Sequence, residues 1–447
     1  TAFNQSLYNW DIDFSNVVGF SPIKTDVSTN NMLLNTISLK YYILTGDVSN
    51  DNLYDAVSIY KTNKTEYGYV YKPISQWNTE SIVDMSGLFQ DDVSFNEDLS
   101  GWNTESVIDM NNMFNGASEF NSDLSWNVSA VTNMSYMFRD AQQFNRDISN
   151  WNTESVIDMN NMFNGASEFN SDLSWNVSNV VNMGAMLRYT SSFEGNINNW
   201  DVGSVTDMSN MFAFSKFNGD ISNWNVSSVT NMNSMFRDSR SFNIDISNWN
   251  VSSVTNMNSM FYNAISFNKS LNWDTSGVNN MDGMFFGATS FNSDITSWNT
   301  YTVTNMESMF RGATGFNIDL SGWITSNVTS MNSMFYDASS FNYPVGLWDV
   351  SAVTDMSGMF YNASSFNQSL YNWPIDFSAV EGFEPSSNII VTNMLTGTDL
   401  QYQILTGSVN QDNIYYAYSI LGTDLYPIYF RPIIEWDTIL VTDISGM

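Results

Sequence analysis

The sequence contains neither cysteine nor histidine. That removes disulfides, thiol nucleophiles, imidazole bases and the usual zinc or haem ligands in one step, so any chemistry must rest on carboxylates, hydroxyls or tyrosine. A chain without cysteine is compatible with either side of a membrane, and the redox compartment stays open. Positive charge is scarce as well: 14 Lys and Arg stand against 46 Asp and Glu, a formal net charge of -32. Nucleic acid and anionic membrane surfaces are therefore disfavoured, because their phosphates need basic side chains to replace counterions. No apolar run reaches the roughly eighteen residues of a membrane span, and no charged-then-apolar leader opens the chain.

What the chain does have is one unit, copied. Residues 249 to 272, WNVSSVTNMNSMFYNAISFNKSLN, are its clearest form, and all 15 tryptophans stand at the first position of such a unit. Twelve units follow one another from Trp77 to Trp373 with Trp spacings of 24 or 25 residues. The missing residue of a short unit falls just before the next Trp. Residues 102 to 125 and 151 to 174 are identical, the mark of tandem duplication. An internal period of this length takes precedence over any domain count drawn from length.

A longer period lies above the short one. Residues 1 to 9 (TAFNQSLYN) match residues 364 to 372 at an offset of 363, and YYILTGDVSNDNLYDAVSIY is echoed by YQILTGSVNQDNIYYAYSI after Tyr402. The expected organisation is therefore the end of a preceding repeat at 1–9, an irregular junction at 10–76, a twelve-unit solenoid at 77–372, a second irregular junction at 373–435 and the start of another array at 436–447. A chain so arranged reads as a window of a longer array with a super-period of about 360 residues.

Within the unit of Trp224, the spacing of Ile221, Trp224 and Val226 predicts a short parallel strand with Asn225 pointing outward. From Met232 the apolar spacing becomes i, i+3, i+4, so Met232, Met235 and Phe236 are expected on one face of a short helical turn. The residue ahead of that Met is Asp84, Asp109, Asn133, Asp158, Asn182, Asp207, Asn231 or Asn256, each a good N-cap. The expected fold class is an α/β repeat solenoid, leucine-rich-repeat-like, with one short parallel strand and one short helical turn per 24–25-residue unit. One such unit cannot cover its own apolar side chains, so stability must come from stacking.

The run V-T-x-M-x-x-M-F-x-x-A-x-x-F, as in Val353 to Phe366, resembles the helical half of BspA-like leucine-rich-repeat surface proteins. More narrowly, W-[ND]-V-S-x-V-T-[ND]-M-x-x-M-F is similar to the 25-residue bacterial-surface-protein repeat of mycoplasma lipoproteins, which also occurs in other bacteria, protists and large viruses. The likeness is dense over residues 77 to 372, and the two junctions depart from it. It implies an extracellular or surface-exposed protein associated with adhesion, and brings no catalytic residues with it.

Several repeated polar positions invite a functional reading. Asn96, Asn121, Asn145, Asn170, Asn218, Asn243, Asn292 and Asn317 fall in register; the plainer reading is a buried asparagine ladder bonded to backbone. Two places later stand Asp98, Asp123, Asp147, Asp172, Asp220, Asp245, Asp294 and Asp319. Carboxylates stacked at about 5 Å raise one another's pKa unless amides or cations intervene. The sharper reading is a Ca²⁺ ladder, though no EF-hand or GGxGxD loop is present, and a carboxylate can equally accept backbone amides at a turn. Asn127, Asn176, Asn225, Asn250 and Asn327 open N-x-[ST] sequons, yet WNVS is also simply the repeat, and glycans on adjacent strands would crowd. A glycosidase pair needs two unequal carboxylates in a cleft, which a repeat does not supply. The aromatic runs YGYVYKPIS and YPIYFRPII sit in the junctions, read either as insertions that close the edge of the solenoid or as docking modules.

The expectation is thus a non-enzymatic extracellular structural protein at a cell or virion surface, acting as an acidic fibre or spacer, with no catalytic, cofactor-binding or metal residues assigned. End-to-end or lateral self-association is the expected partnership. The alternative is an adhesin that binds a host receptor or glycan through the sheet face or the junctions, and a third reading is an intracellular scaffold.

Overall fold

A computed structural model of the chain describes residues 48–62, 73–366 and the single positions 368, 370 and 373. The expectations for residues 1–9, most of both junctions and 436–447 lie outside the described residues, as do most of the aromatic runs. The chain divides into two compact units, Thr1–Val180 and Val181–Met447. The division falls inside the repeat of Trp175, the one repeat in which a leucine, Leu187, takes the place of the Phe that follows Met. The array expected as one body over 77–372 is therefore described in two parts.

Regular secondary structure among the described residues is slight. It comprises helix α1, Leu53–Thr62, and a single 3-10 turn, Ile74–Gln76. No helix among the described residues is long and apolar enough to cross a membrane. Among the described residues, parallel pairing between repeats joins one residue of each to one of the next. In the first compact unit it runs Asp84 to Asp109, Asn133 and Asp158, and in the second from Asn182 through Asp207, Asn231, Asn256, Asn280, Asn305 and Ser330 to Asp355.

These positions are not where the strand is expected. Between Ile221 and Trp224 the backbone closes a turn, Trp224 N–H to Ile221 O at 3.2 Å, and a second turn joins Val229 N–H to Val226 O at 3.0 Å. The first turn takes the Trp224 amide within the repeat, and the two turns bend the chain on either side of Trp224 to Val226. The burial pattern does follow the expectation, since Ile221, Trp224 and Val226 are buried and Asn225 is exposed.

The segment expected as a helical turn is a pair of consecutive tight turns. In the repeat of Trp249, Met260 N–H bonds to Met257 O at 3.2 Å and Ala264 N–H to Phe261 O at 3.0 Å. The third residue of each turn, Ser259 and Asn263, has positive φ, 54° and 53°. That sign is what a type II turn requires at its third position and what an α-helix forbids. Alternate amides then point to the next repeat: Met257 to Asn280 O, Ser259 to Asp282 O, Phe261 to Met284 O and Asn263 to Phe286 O, at 2.6 to 3.2 Å. An α-helix would have spent these donors within itself, whereas the turns free every second one for stacking. Met257, Met260 and Phe261 remain fully buried, because a three-residue turn brings the same i, i+3, i+4 side chains to one face.

The core consists of columns of aromatic rings. In the first compact unit Trp126 and Trp151 stack at 6.4 Å, and Phe114 stacks on Phe120 at 3.9 Å and on Phe138 at 5.5 Å. In the second, Trp298 and Trp323 stack at 6.1 Å, with Phe285 on Phe291 at 3.9 Å and on Phe310 at 5.7 Å. Ring pairs of this kind contribute about 0.5–1.5 kcal/mol each beyond their burial. Indole N–H groups also find backbone partners: Trp151 donates to Leu124 O at 3.2 Å and Trp273 to Ile246 O at 3.1 Å, each acceptor 27 residues earlier.

Candidate functional site

Asparagine and aspartate form three corners in a repeat, each a side-chain oxygen that accepts the amide two residues on. In the repeat of Trp249 the corner after Trp is Asn250 with Ser252 N–H at 3.2 Å, and the corner before Met is Asn256 with Asn258 N–H at 3.0 Å. The third corner, ahead of Trp, is Asp245 with Ser247 N–H at 3.0 Å. The expected N-caps do accept first-turn amides, Asp84 from Ser86, Asp109 from Asn111 and Asp207 from Ser209, each at 2.8 Å. They cap a turn rather than a helix, and the same residues carry the parallel pairing.

The aspartates of the third corner are exposed, and Asp98, Asp147, Asp220, Asp294 and Asp319 each spend one oxygen on such an amide at 2.9 to 3.0 Å. Hydrogen bonds from Ser100, Ser149 and Ser222 hold Asp98, Asp147 and Asp220 below the ordinary carboxylate pKa, and Thr296 does the same for Asp294. Amide and hydroxyl donors thus intervene where stacked carboxylates would otherwise repel. Among the described residues no three acidic side chains gather closely enough to hold a metal ion.

The asparagine column is a staircase at the surface, not a buried ladder. Asn121 N–H donates to Asn96 Oδ1 at 2.8 Å and Asn145 N–H to Asn121 Oδ1 at 3.0 Å. In the second compact unit the steps run from Asn218 to Asn243, Asn268, Asn292, Asn317 and Asn342 at 2.8 to 3.0 Å. Asn96, Asn145, Asn170, Asn218 and Asn292 are exposed, and Asn121, Asn243 and Asn317 half-buried. The neighbouring Phe takes the interior, so the asparagine must face out. The five sequon asparagines, Asn127, Asn176, Asn225, Asn250 and Asn327, are all exposed. In two of them the sequon hydroxyl bonds the asparagine itself, Ser227 Oγ and Ser252 Oγ on the Oδ1 of Asn225 and Asn250 at 2.7 and 2.8 Å, and Thr329 Oγ1 of the Asn327 sequon donates to Thr304 O at 3.1 Å.

Sequence reasoning missed a stripe of arginine and aromatic side chains one residue beyond the buried Phe. In the second compact unit Arg237 lies over Tyr262 at 4.4 Å, Tyr262 stacks on Phe286 at 4.2 Å, and Arg311 lies over Phe286 and Tyr336 at 5.5 and 4.3 Å. Tyr336 stacks on Tyr361 at 4.5 Å. All six are half-buried, so ring edges and guanidinium groups reach solvent while the faces cover one another. Arg237 Nε is buried without a hydrogen bond, and Asp238 Oδ2 stands 3.8 Å away. The stripe mixes three residue types at one per repeat, and only its constant position after Met-Phe could have exposed it.

One polar patch departs from the rest. Burial raises the pKa of Asp282 against the opposing hydrogen bond from Asn258, 2.7 Å away, and burial together with Asp282 and Asp355 raises that of Glu307.

Comparison with known proteins finds one family. The family described as "Mycoplasma protein of unknown function, DUF285" matches in overlapping segments, residues 58–174, 124–216, 173–272, 196–293 and 270–373. Together they run from 58 to 373, more than two thirds of the 447 residues. No curated protein matches the chain.

Proposed function

The chain belongs to the DUF285 family of Mycoplasma proteins of unknown function, and from that membership we propose that it is a non-enzymatic structural repeat protein of the cell surface, a fibre or spacer. We also propose that the repeats of each compact unit form a leucine-rich-repeat-like solenoid, in which the paired turns replace the helical arm. The observation that carries both is the use made of the repeated residues. Trp, Phe, the corner asparagines and aspartates, and the alternate turn amides are engaged in holding turns or joining neighbouring repeats, as in Trp298 to Leu271 O at 2.8 Å and Phe285 N–H to Met309 O at 2.8 Å. A chain so occupied supplies length and stability instead of a reactive cleft. Antibody against the chain should label intact source cells, and brief protease treatment of those cells should remove the label. Labelling that needs permeabilised cells would sink the surface reading.

A second reading is adhesion, and the stripe from Arg237 to Tyr361 favours it. Arginine and tyrosine are the residue types that interfaces concentrate, and here they line up on an otherwise acidic chain. The purified chain should then bind host cells saturably, with binding lost in R311A and Y336A. Saturable binding that both variants retain would remove the stripe from consideration.

A further inference from the structure

Ahead of Trp77 the described chain is not a repeat, yet the leading edge of that repeat is covered. In the stacked repeats behind it, Ile108 N–H donates to Val83 O at 2.8 Å, Thr132 N–H to Ile108 O at 2.9 Å, and Ile157 N–H to Thr132 O at 2.8 Å. Val83 occupies the same position, and its N–H donates at 2.9 Å to the side-chain Oδ1 of Asn50. The Nδ2 of the same amide donates to Ser81 O at 3.0 Å. A primary amide offers the carbonyl and N–H of a peptide group, so Asn50 fills the place that a preceding repeat's backbone would take.

Other contacts of the segment substitute in the same way. The carbonyls of Asn103 and Asn127 accept the hydroxyls of Thr79 and Thr104 from the preceding repeat, at 2.8 Å each. The equivalent carbonyl of Asn78 accepts Val48 N–H at 3.4 Å. Trp102 stacks on Trp77, while Trp77 meets Tyr60 of α1 edge-on at 6.4 Å and is 2% exposed. Lys61 lies over Phe89 at 5.7 Å. Leu53, Ala56, Val57 and Tyr60, the i, i+3, i+4, i+7 face of α1, are all buried.

We infer that residues 48–62 are an edge cap in which Asn50 acts as a surrogate peptide group, and that the surface beneath it is shaped to receive a second copy of the repeat. An uncovered edge of unpaired backbone groups is a template for pairing with another chain, and the cap removes that template. The corresponding positions before Trp436 carry Val409, Gln411, Ile414, Ala417, Tyr418 and Leu421, so the side-chain amide and the apolar positions recur while Tyr60 is matched by a leucine. The cap argues against end-to-end association through this edge in the intact chain.

Amide hydrogen exchange and sedimentation of the full chain test the inference. In N50A, exchange at Val83 should accelerate by roughly tenfold or more while Ile108 keeps its protection, since only the local acceptor is lost. A variant that also drives the apolar face of α1 off the edge, N50A with A56D, should sediment as a concentration-dependent oligomer. N50D retains an acceptor oxygen and should hold Val83 exchange close to that of the unaltered chain. Unchanged exchange at Val83 in N50A, or equal acceleration at Val83 and Ile108, would overturn the surrogate role. An N50A/A56D chain that sediments as the unaltered chain does at every concentration would overturn the second-copy surface.

Discussion

The indole N–H of Trp249 donates to the backbone carbonyl of Ile221, 3.1 Å away and 28 residues earlier. The ring that fills the core thereby also ties the start of its repeat to the segment just ahead of Trp224, the preceding tryptophan. A buried indole without a partner would lose the free energy of a hydrogen bond to water, so the ladder needs this carbonyl as much as it needs the stacking.

W249F separates the two contributions. Phenylalanine keeps an aromatic ring in the column but removes the indole donor, leaving the Ile221 carbonyl with the Trp224 N–H as its partner, at a cost of about 0.5–1.5 kcal/mol. W249A, which also opens a cavity, should cost about 3–5 kcal/mol. Urea titration followed by circular dichroism reads both, and a W249F midpoint equal to that of the unaltered chain would show that the hydrogen bond contributes nothing beyond the ring.

Gly287 illustrates how the tight turns restrict sequence. Its φ is +65°, and a Cβ there would sit 2.1 Å from Asn263 Oδ1 of the preceding repeat. G287A should therefore destabilise by about 1–3 kcal/mol or more from strain and collision together. Removing the colliding amide with N263A should return part of that loss, giving a non-additive pair. G322A is the control, because nothing lies within 4 Å of its Cβ position. A thermal melt of G287A that matches G322A would contradict the turn geometry.

These two sites also mark what could be read from sequence. The buried set of Ile221, Trp224, Val226, Met232, Met235 and Phe236 was legible, because burial follows apolar spacing whatever the backbone does. The helix was not, because i, i+3, i+4 spacing is common to an α-helix and to successive three-residue turns. The distinguishing signal lies four residues apart, in pairs such as Gly87 with Asp91 and Asn112 with Gly116, all with positive φ. These are poor helix interiors and good left-handed residues. The register of the Asn96 column was legible, but its burial was not, since adjacency to Phe95 decides which of the two faces inward.

The carboxylates give stability two opposing dependences on pH. Asp220 is held below its ordinary pKa by Ser222. A depressed folded-state pKa contributes stability above the unfolded value of 3.8 and loses it as pH falls through the folded value. Melting temperature should therefore drop on acidification below about pH 4, and D220N should flatten that drop. Asp282 runs the other way: burial raises its pKa, so it holds its proton more tightly when folded and becomes a cost as pH rises. D282N should raise the melting temperature at pH 7 and leave it unchanged at pH 3. A fall at pH 7 would mean that the Asn258 bond outweighs desolvation.

Arg311 tests whether the half-buried stripe stabilises the stack. It lies between Phe286 and Tyr336, over rings 5.5 and 4.3 Å away. Cation–π contacts at partly exposed sites contribute about 0.5–1 kcal/mol, rising to about 2 where desolvated. R311A should cost within that range, and R311K less, because an ammonium keeps the charge but loses the planar stack. A double-mutant cycle with Y336A isolates the pair, and a favourable coupling of about 0.5 kcal/mol or more is expected. Full additivity of R311A and Y336A would assign the stripe no cohesive role and leave partner recognition as the remaining reason for its arginines.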